Sequence, residues 1–313
     1  MKTVIYKQFG NAEVLQITEK ELPRVDDNSI LVKVKAASIN PIDWKLFQGE
    51  MKMMWGKKFP KAVGIDFSGI IEATGNNVGD FKPGDEVIGL MDIFNGGALA
   101  EYVVVKEKDI AIKPASISFE QAAALPVAGL SALQIVDKLA HVKRGTEVLI
   151  NGATGGIGMF LTQFAKRKGA IVTSVSNTKG VVLAKHWQSD FTVDYKEQDV
   201  LKLDKQYDVV VDLSGKMPFN AAKVLLKKKA TYVNTAPSPL TIAGSFINNL
   251  FSERKVKILF LKPSPESLKA VAKSAESKLD IVIDRTFPID SFREAYRYAM
   301  KGGILGKVVI SFP

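Results

Sequence analysis

A glycine-rich segment, Asn-Gly-Ala-Thr-Gly-Gly-Ile-Gly at 151–158, has the residue types and spacing of a site for nucleotide phosphates. It follows an apolar run at 148–150 and opens an amphipathic stretch, so it is expected to join a buried strand to a helix. Small residues let the backbone approach a pyrophosphate, and a helix N-terminus supplies N–H groups and positive potential. A purely structural turn is the alternative, but this context favours dinucleotide binding. The expected contacts are Ala153, Thr154, Gly155, Gly156, Ile157 and Gly158.

The residues after the next predicted strand indicate which dinucleotide is bound. A site for NAD usually places Asp or Glu there to hold the ribose 2′-hydroxyl. Here the strand ends in Ser176, Asn177, Thr178 and Lys179, and none of them is acidic. Ser176 and Asn177 can donate hydrogen bonds to a 2′-phosphate, Lys179 adds a positive charge, and Tyr195 offers a further hydroxyl. We therefore predict NADPH over NADH, the alternative being a neutral loop in which Ser and Asn cap a helix.

The elements that would position these residues are of two kinds. The first third is rich in short predicted strands, such as Ser29–Ala36, separated by turns, which indicates a small barrel or sandwich. Ser118 and Gln121 form a capping-box pattern, and beyond about residue 146 strands and helices alternate, which predicts an α/β doubly wound parallel sheet. A last strand, Lys307–Phe312, is expected to return to the first domain. The predicted divisions are 1–118, 119–262 and 263–313.

The composition excludes several chemistries. A chain of 313 residues suits two domains. The absence of cysteine excludes disulfides, a thiol nucleophile and Cys-based zinc sites, and the two histidines, His141 and His186, have the surroundings of surface residues. The sequence has no apolar run that would span a membrane and no apolar secretory region at its start, so a cytoplasmic protein is expected.

The net charge of +10 permits a nucleic-acid, membrane-surface or anionic small-molecule partner. The most concentrated basic run, at 227–229, is interpreted as a solvated helix end whose cations suit the helix dipole. No basic stretch is interleaved with aromatic residues, so nucleic-acid binding is not expected. No basic amphipathic helix supports a membrane-surface role.

Five further motifs carry a family resemblance, at 37–45, 64–69, 81–87, 97–102 and 125–130. They read Ala-Ser-Ile-Asn-Pro-Ile-Asp-Trp-Lys, Gly-Ile-Asp-Phe-Ser-Gly, Phe-Lys-Pro-Gly-Asp-Glu-Val, Gly-Ala-Leu-Ala-Glu-Tyr and Leu-Pro-Val-Ala-Gly-Leu. With the glycine-rich loop they resemble, over nearly the whole chain, the quinone oxidoreductase (zeta-crystallin-like) branch of the medium-chain dehydrogenase/reductase superfamily. Plastid-envelope quinone oxidoreductase homologues and plant enone oxidoreductases are especially similar. The resemblance implies a GroES-like barrel domain, a Rossmann domain and a cleft between them.

The resemblance also implies that zinc is absent. Zinc enzymes of this superfamily carry a Gly-His-Glu element, and here Gly64-Ile65-Asp66 replaces its histidine with isoleucine. Without zinc as a Lewis acid, alcohol oxidation loses its usual means of stabilising an alkoxide. The chemistry that remains is hydride transfer from NADPH to a quinone or an α,β-unsaturated carbonyl, whose products are delocalised anions.

By the same resemblance, Asn40 would orient the nicotinamide or the substrate. Lys45 would hold the nicotinamide ribose and stabilise the developing oxyanion, and Asp43 would position Lys45. The alternative is a capped loop with an ordinary surface ion pair between Asp43 and Lys45. An apolar, Met-rich segment at 44–55 beside this trio suits a lipid-like or variable substrate, and a domain-packing or mobile surface loop is the alternative. Further cofactor contacts implied by the family are Ser131, Ser214, Thr235, Phe260 and Lys307.

Two other functions stay open in the sequence. One is strict one-electron reduction of quinones, and the other is a non-catalytic NADPH-binding sensor, adaptor or crystallin-like protein. The electrophile is not identified by the sequence, and neither is the oligomeric state. Family members often form homodimers through the last Rossmann strand, here near Lys255–Phe260.

Overall fold

The computed structural model describes residues 1–52, 56, 58–93 and 95–313. It divides into two compact units, one of residues 1–130 with 263–313 and the other of residues 131–262. The first unit thus extends to Leu130 rather than ending at 118 as expected. The reason is that the helix opened by Ser118 packs on the first unit, where Ala123 is buried against Ala36 and Val309.

Sixteen strands and nine α-helices follow one another along the described residues. The strands are β1 Lys2–Tyr6, β2 Leu15–Glu19, β3 Ile30–Ser38, β4 Lys61–Ala62, β5 Asp66–Thr74, β6 Glu86–Leu90, β7 Tyr102–Val105, β8 Ile110–Ile112, β9 Glu147–Asn151, β10 Ile171–Ser176, β11 Phe191–Asp194, β12 Tyr207–Asp212, β13 Leu226–Asn234, β14 Lys255–Ile258, β15 Ile283–Pro288 and β16 Lys307–Ser311. The helices are α1 Pro41–Phe47, α2 Phe119–Ala123, α3 Pro126–Gln134, α4 Gly156–Arg167, α5 Thr178–His186, α6 Phe219–Ala222, α7 Pro239–Phe251, α8 Pro265–Glu276 and α9 Phe292–Met300. Short 3₁₀ turns occur at 12–14, 107–109, 200–202, 223–225 and 289–291, and a π-helical segment, Ile135–Leu139, continues α3.

The first unit is built on two sheets. One has the strand order β2-β1-β4, and the other has the order β15-β16-β3-β5-β6-β8, with β7 also paired to β3. Strand β16 is antiparallel to β3, with Ile310 opposite Ala37, which confirms that the last strand returns to the first domain. This return sets the start of β16 beside the end of β3, where α1 begins.

Helix α1 is held by aromatic packing within the first unit. Phe47 is fully buried and meets Tyr6 and Tyr296 edge-on, at centroid distances of 6.4 and 5.4 Å. Phe47, one residue of the Met-rich segment, therefore belongs to the core of the first unit. Met53, Met54 and Trp55 of that segment lie outside the described residues.

The second unit is a doubly wound sheet. Its six strands have the order β11-β10-β9-β12-β13-β14 and are all parallel. Counted from β9, this is the strand order of a dinucleotide-binding sheet, in which the order of the strands along the chain reverses between β9 and β12. The central strands β9 and β12 are buried through Leu149 and Val210, as apolar strands covered on both faces must be.

No helix in the described ranges is long and apolar enough to cross a bilayer.

The basic run at 227–229 lies on a strand, so its interpretation as a helix end is wrong. The three lysines follow the buried Leu226 in the first half of β13, which comes directly after the 3₁₀ turn Lys223–Leu225. Lys227 is anchored by Glu147 at 2.7 Å and by Asp208 at 2.9 Å, so part of the charge is compensated by neighbouring strands. The side chains of Lys228 and Lys229 are 89% and 83% exposed.

Candidate functional site

The glycine-rich loop joins β9 to α4 in the second unit, as the sequence predicts. Gly152 has a φ of +89°, which a residue with a side chain rarely adopts, and its N–H donates to Val175 O of the neighbouring strand. A Cβ at Gly158 would lie 2.2 Å from the carbonyl oxygen of Gly152. Glycine at 158 therefore lets α4 pack tightly against the loop it leaves.

The N-terminus of α4 is suited to an anion. Gly155, which precedes the helix, provides no side-chain cap, and the first turn contains no acid. In the described part of the chain, the N–H groups of Gly156, Ile157 and Gly158 have no hydrogen-bond acceptor. A Cβ at Gly155 would meet no atom closer than 3.6 Å, so the backbone is approachable from that side. These free donors and the helix dipole fit the pyrophosphate of a dinucleotide.

The structure gives two of the residues expected at the 2′-phosphate other partners. Ser176 is buried, and its hydroxyl contacts that of Thr154. A Cβ at Gly180 would collide with both hydroxyls, so the absence of a side chain at this position leaves room for their contact. Asn177 precedes α5 and accepts a 2.8 Å hydrogen bond from Gly180 N–H, which is the helix-capping alternative considered for it.

The charged side chains of Lys179 and Asp194 and the phenol of Tyr195 remain near the end of β10. Lys179 is exposed in the first turn of α5, and Tyr195 is 52% exposed. Asp194, which was not predicted from the sequence, lies at the end of β11 and is paired in register with Ser176. Its pKa is lowered by hydrogen bonds from the Thr178 hydroxyl and the Lys196 N–H. The Asp194 carboxylate therefore lies on β11, the strand next to β10, and it is β10 that has no acid at its end.

The carboxyl ends of β9 and β12 carry a partly buried polar network. Asp212 Oδ1 accepts hydrogen bonds from Asn151 Nδ2 at 3.0 Å and from Ser214 Oγ at 2.8 Å, and Thr235 Oγ1 donates to Asp212 O at 3.0 Å. Ser214 and Thr235, both expected at the cofactor, thus lie at the strand ends where dinucleotides bind in such sheets. Ser131 is buried on α3, and Phe260 is 54% exposed beyond β14.

A second polar cluster lies in the first unit, around Asn40. Its Nδ2 donates to Asp66 Oδ2 at 2.9 Å, and its Oδ1 accepts from Lys307 Nζ at 2.6 Å. Lys307 also donates to Ile39 O at 2.9 Å and lies 3.8 Å from Asp66 Oδ2. Ser38 Oγ and Val127 N–H complete the contacts of the Asp66 carboxylate, each at 2.9 Å. Asn40 is only 3% exposed, so its carboxamide is fixed inside the protein.

Asp43 is joined to the same cluster. Its Oδ2 accepts from Asn40 N–H at 2.8 Å and from Tyr296 Oη at 3.3 Å, whereas its buried Oδ1 has no hydrogen-bond partner among the described residues. Burial raises the pKa of the Asp43 carboxyl to about 7, against the hydrogen bond from Asn40, and the charge of Asp66 adds to the rise. Burial also raises the pKa of Asp66 and lowers that of Lys307, and the attraction between these two opposes both shifts.

The expectation that Asp43 positions Lys45 is wrong. Both residues lie on α1, and side chains two positions apart on a helix point in different directions. Asp43 binds the backbone N–H of Asn40 and closes the start of the helix. Lys45 is half-buried, and no hydrogen bond or ion pair joins its ammonium to another described residue.

Lys307 was expected to contact the cofactor. In the structure its ammonium donates hydrogen bonds to Asn40 Oδ1 and Ile39 O. Three further members of the cluster, Asp66, Ser38 and Tyr296, were not predicted from the sequence. Two signals could have found this cluster, namely an acid opening the largely buried strand β5 and a lysine opening the mostly apolar strand β16. A charge at either place needs a buried partner.

The residues present do not form a metal centre in the described ranges. No group of three or more His, Asp or Glu side chains is close enough there to hold an ion. Ile65, at the position of the zinc-binding histidine, is 1% exposed and belongs to the core.

Comparisons with known proteins match both parts of the chain. Residues 26–115 match the alcohol dehydrogenase GroES-like domain, and residues 187–310 match the zinc-binding dehydrogenase family. The chain is 31% identical to the chloroplastic quinone-oxidoreductase homolog of Spinacia oleracea, over 99% of this chain and 98% of that one. It is 30% identical to the chloroplastic NADPH-dependent alkenal/one oxidoreductase of Arabidopsis thaliana, over 99% of this chain and 79% of that one.

Among solved structures, the quinone oxidoreductase of Coxiella burnetii superposes with a TM-score of 0.91 at 31% identity, covering 100% of this chain and 99% of that one. These matches extend over both units and agree with the GroES-like and Rossmann architecture. The chain therefore belongs to the medium-chain dehydrogenase/reductase superfamily, among the quinone oxidoreductase homologues and the enone oxidoreductases.

Proposed function

We propose that the protein is a zinc-independent, NADPH-dependent reductase of quinones or α,β-unsaturated carbonyl compounds. The observation that carries the proposal is the N-terminus of α4, where three backbone N–H groups without acceptors lie above a loop that admits only glycine at 158. The names of the relatives from Spinacia oleracea and Arabidopsis thaliana supply the substrate classes.

The choice of NADPH is supported by charge. The residues directly after β10 include no acid. Lys179 is an exposed cation in the first turn of α5, where the helix dipole also favours an anion. Because Ser176 and Asn177 have partners inside the protein, Lys179 and Tyr195 are the groups that would receive the 2′-phosphate. Asp194 opposes this preference, so the lysine has to outweigh a carboxylate on the adjacent strand.

The reduction needs a hydride and a cation that stabilises the resulting oxyanion. NADPH supplies the hydride when it is bound. Lys45 is the candidate cation, since its half-buried ammonium has no partner among the described residues. The carboxamide of Asn40 is already hydrogen-bonded to Asp66 and Lys307. Asn40 would therefore contribute by shaping the site and by fixing the start of α1. Quinones and enones suit a site without zinc, since their reduced anions are delocalised.

The test is a screen of NADPH oxidation by the purified protein, before and after exhaustive chelation. Quinones, short and long enones and saturated aldehydes serve as acceptors. We expect turnover with quinones or enones, little with saturated aldehydes and no effect of the chelator. Loss of activity on chelation or stoichiometric bound zinc would overturn the zinc-independent mechanism. NADPH binding without turnover on any acceptor would favour the non-catalytic alternative, and a semiquinone intermediate would indicate one-electron reduction.

A further inference from the structure

Asn151 is the last residue of β9 and directly precedes the glycine-rich loop, at the edge of the sheet where a dinucleotide is expected. Only 9% of the residue is exposed. Its Nδ2 uses both of its hydrogens, one toward Asp212 Oδ1 at 3.0 Å and one toward Ser214 Oγ at 2.9 Å. Because a carboxylate only accepts hydrogen bonds, the amino group must face Asp212 and the carboxamide oxygen must point away from it.

The carboxamide oxygen of Asn151 is free. Its Oδ1 has no hydrogen-bond partner in the part of the chain that the structure describes, and it is not sealed from solvent. Polar atoms of a residue this deeply buried are normally hydrogen-bonded. A fixed and reachable acceptor at the carboxyl end of β9 therefore has the properties of a contact to a hydroxyl or amino group of a ligand.

The neighbouring hydroxyl of Ser214 is already saturated. It donates to Asp212 Oδ1 at 2.8 Å, and it accepts from Asn151 Nδ2 at 2.9 Å and from Lys216 N–H at 3.0 Å. A hydroxyl has one hydrogen to donate and two lone pairs that accept, so its full capacity is used. The Ser214 side chain is thus better suited to orient Asn151 than to bind a ligand itself.

Asp212 is the buried centre of this arrangement. It is 2% exposed, and its carboxylate also accepts from Ser214 N–H at 3.1 Å and from Met217 N–H at 3.0 Å. Its backbone carbonyl accepts from Thr235 Oγ1 at 3.0 Å. One residue therefore joins the end of β9, the loop after β12 and the residue after β13. These donors fix the carboxylate, and the carboxylate in turn fixes the amide of Asn151.

The place of Asn151 in the sheet indicates which group of NADPH it would meet. The strand order reverses between β9 and β12, and a dinucleotide lies across such a reversal with one half on each side. The candidate 2′-phosphate site at Lys179 follows β10, so the nicotinamide half falls on the side of β12. The pyrophosphate between the halves has no hydrogen to donate. The nearest donors of the nicotinamide half are the hydroxyls of its ribose.

We propose that Asn151 binds the dinucleotide directly, with its Oδ1 accepting a hydrogen bond from a ribose hydroxyl of the nicotinamide half, and that Asp212 is the positioning residue that fixes this oxygen. The proposal rests on the proposed function, because it takes NADPH as the ligand. It deepens that function by adding a cofactor contact that was not predicted from the sequence. Asp212 itself touches no ligand and acts through Asn151.

The experiment is calorimetric titration of the full-length protein with three ligands. NADPH and 2′-phospho-ADP-ribose both carry the second ribose, whereas 2′,5′-ADP ends at its first 5′-phosphate. Asn151→Ala removes the acceptor, so it should weaken NADPH and 2′-phospho-ADP-ribose about tenfold each. The affinity for 2′,5′-ADP should stay within about twofold of the parent. Thermal unfolding verifies that each variant is folded.

Asp212→Asn tests the positioning role. It should weaken the same two ligands, and the double variant with Asn151→Ala should bind them no more weakly than Asn151→Ala alone, because Asp212 acts through Asn151. If Asp212→Asn does not fold, Ser214→Ala takes its place in the cycle, since it removes the other acceptor of the Asn151 amino group. The matched control is Asp208→Asn at the opposite end of β12. Its carboxylate accepts from Glu147 N–H of β9 at 2.9 Å, and this variant should bind all three ligands like the parent.

The proposal is overturned if Asn151→Ala binds NADPH within about twofold of the parent, or if all three ligands weaken equally, as a distorted loop would cause. It is also overturned if the losses from Asp212→Asn and Asn151→Ala add in the double variant. The titrations measure binding, so their result does not depend on turnover. A parent that binds NADPH and reduces no acceptor overturns the proposed function alone, whereas a parent that binds no NADPH overturns both.

Discussion

The ammonium of Lys307 donates a 2.6 Å hydrogen bond to the carboxamide oxygen of Asn40, although 267 positions separate the two residues. Strand β16 returns to pair with β3, and this return brings the lysine to the start of α1. The same ammonium compensates the buried carboxylate of Asp66 at 3.8 Å. The conformation of the start of α1 thus depends on a charge supplied by β16.

Lys307→Met should strongly destabilise the protein, because it leaves the Asp66 carboxylate buried without its cation. Breaking a buried ion pair on one side typically costs about 3–5 kcal/mol. Denaturant unfolding measures the loss. The matched control is Lys35→Met on β3, whose ammonium binds the exposed Pro313 carbonyl and whose replacement should cost less than about 0.5 kcal/mol. Equal stabilities of the two variants would show that the buried ion pair contributes nothing.

Asp43 should make stability fall as the pH rises. Its pKa is about 7 in the folded protein against an ordinary value of 3.8, so the folded state binds the proton more tightly. The contribution is fully present below about pH 4 and is lost as the pH rises through about 7. Relative to Asp43→Asn, which does not titrate, the parent should lose at least about 1.4 kcal/mol of unfolding free energy between about pH 5 and pH 8.

The control for this comparison is Asp80→Asn, since the side chain of Asp80 is 77% exposed. The free-energy difference between parent and this variant should stay flat over the same pH range. A flat difference for Asp43→Asn as well would mean that the Asp43 carboxyl is already ionised throughout.

Gly158→Ala should abolish NADPH binding, because its Cβ would lie 2.2 Å from Gly152 O and would force α4 away from the loop. Gly79→Ala is the control, since a Cβ there meets nothing within 4 Å. Fluorescence titration with NADPH measures both. Undiminished affinity in Gly158→Ala would remove the glycine-rich loop from the cofactor site.

Lys179→Ala should remove most of the preference for NADPH over NADH. We expect that preference to be at least about tenfold in the parent, or about 1.4 kcal/mol. Lys185→Ala removes an exposed lysine from the same helix and should leave the preference intact. Equal affinity of the parent for NADPH and NADH would contradict the proposed 2′-phosphate site. Asp194→Asn, which removes the opposing carboxylate, should strengthen NADPH binding.

Lys45→Met tests the oxyanion role, since it keeps most of the apolar stem and removes the charge. Losing such a donor typically costs about 2.7–4 kcal/mol, so single-turnover hydride transfer should slow roughly a hundredfold or more. NADPH affinity should change little, unless holding the nicotinamide ribose is the main role of the lysine. Lys7→Met, on an exposed site, is the control. A rate within about twofold of the parent would make Lys45 a bystander.

The sequence by itself determined the second unit and its loop. An apolar strand, a glycine-rich turn and an amphipathic helix are adjacent in the chain, so local spacing was enough to identify β9, the loop and α4. The capping box of Ser118 and Gln121 was readable for the same reason, and the structure confirms it with hydrogen bonds of 3.1 and 3.2 Å. Such signals depend on contacts between residues that are close in sequence.

Only the tertiary structure decided what the polar side chains do. Asp43 and Lys45 are neighbours in sequence, yet the helix turns them apart, while Asn40, Asp66 and Lys307 meet because three distant strands share one sheet. Ser176 and Asn177 are used inside the fold, and Asp194 comes beside them through the parallel register of β10 and β11. A buried charge must find its partner in space, and residue spacing along the chain does not encode which partner that is.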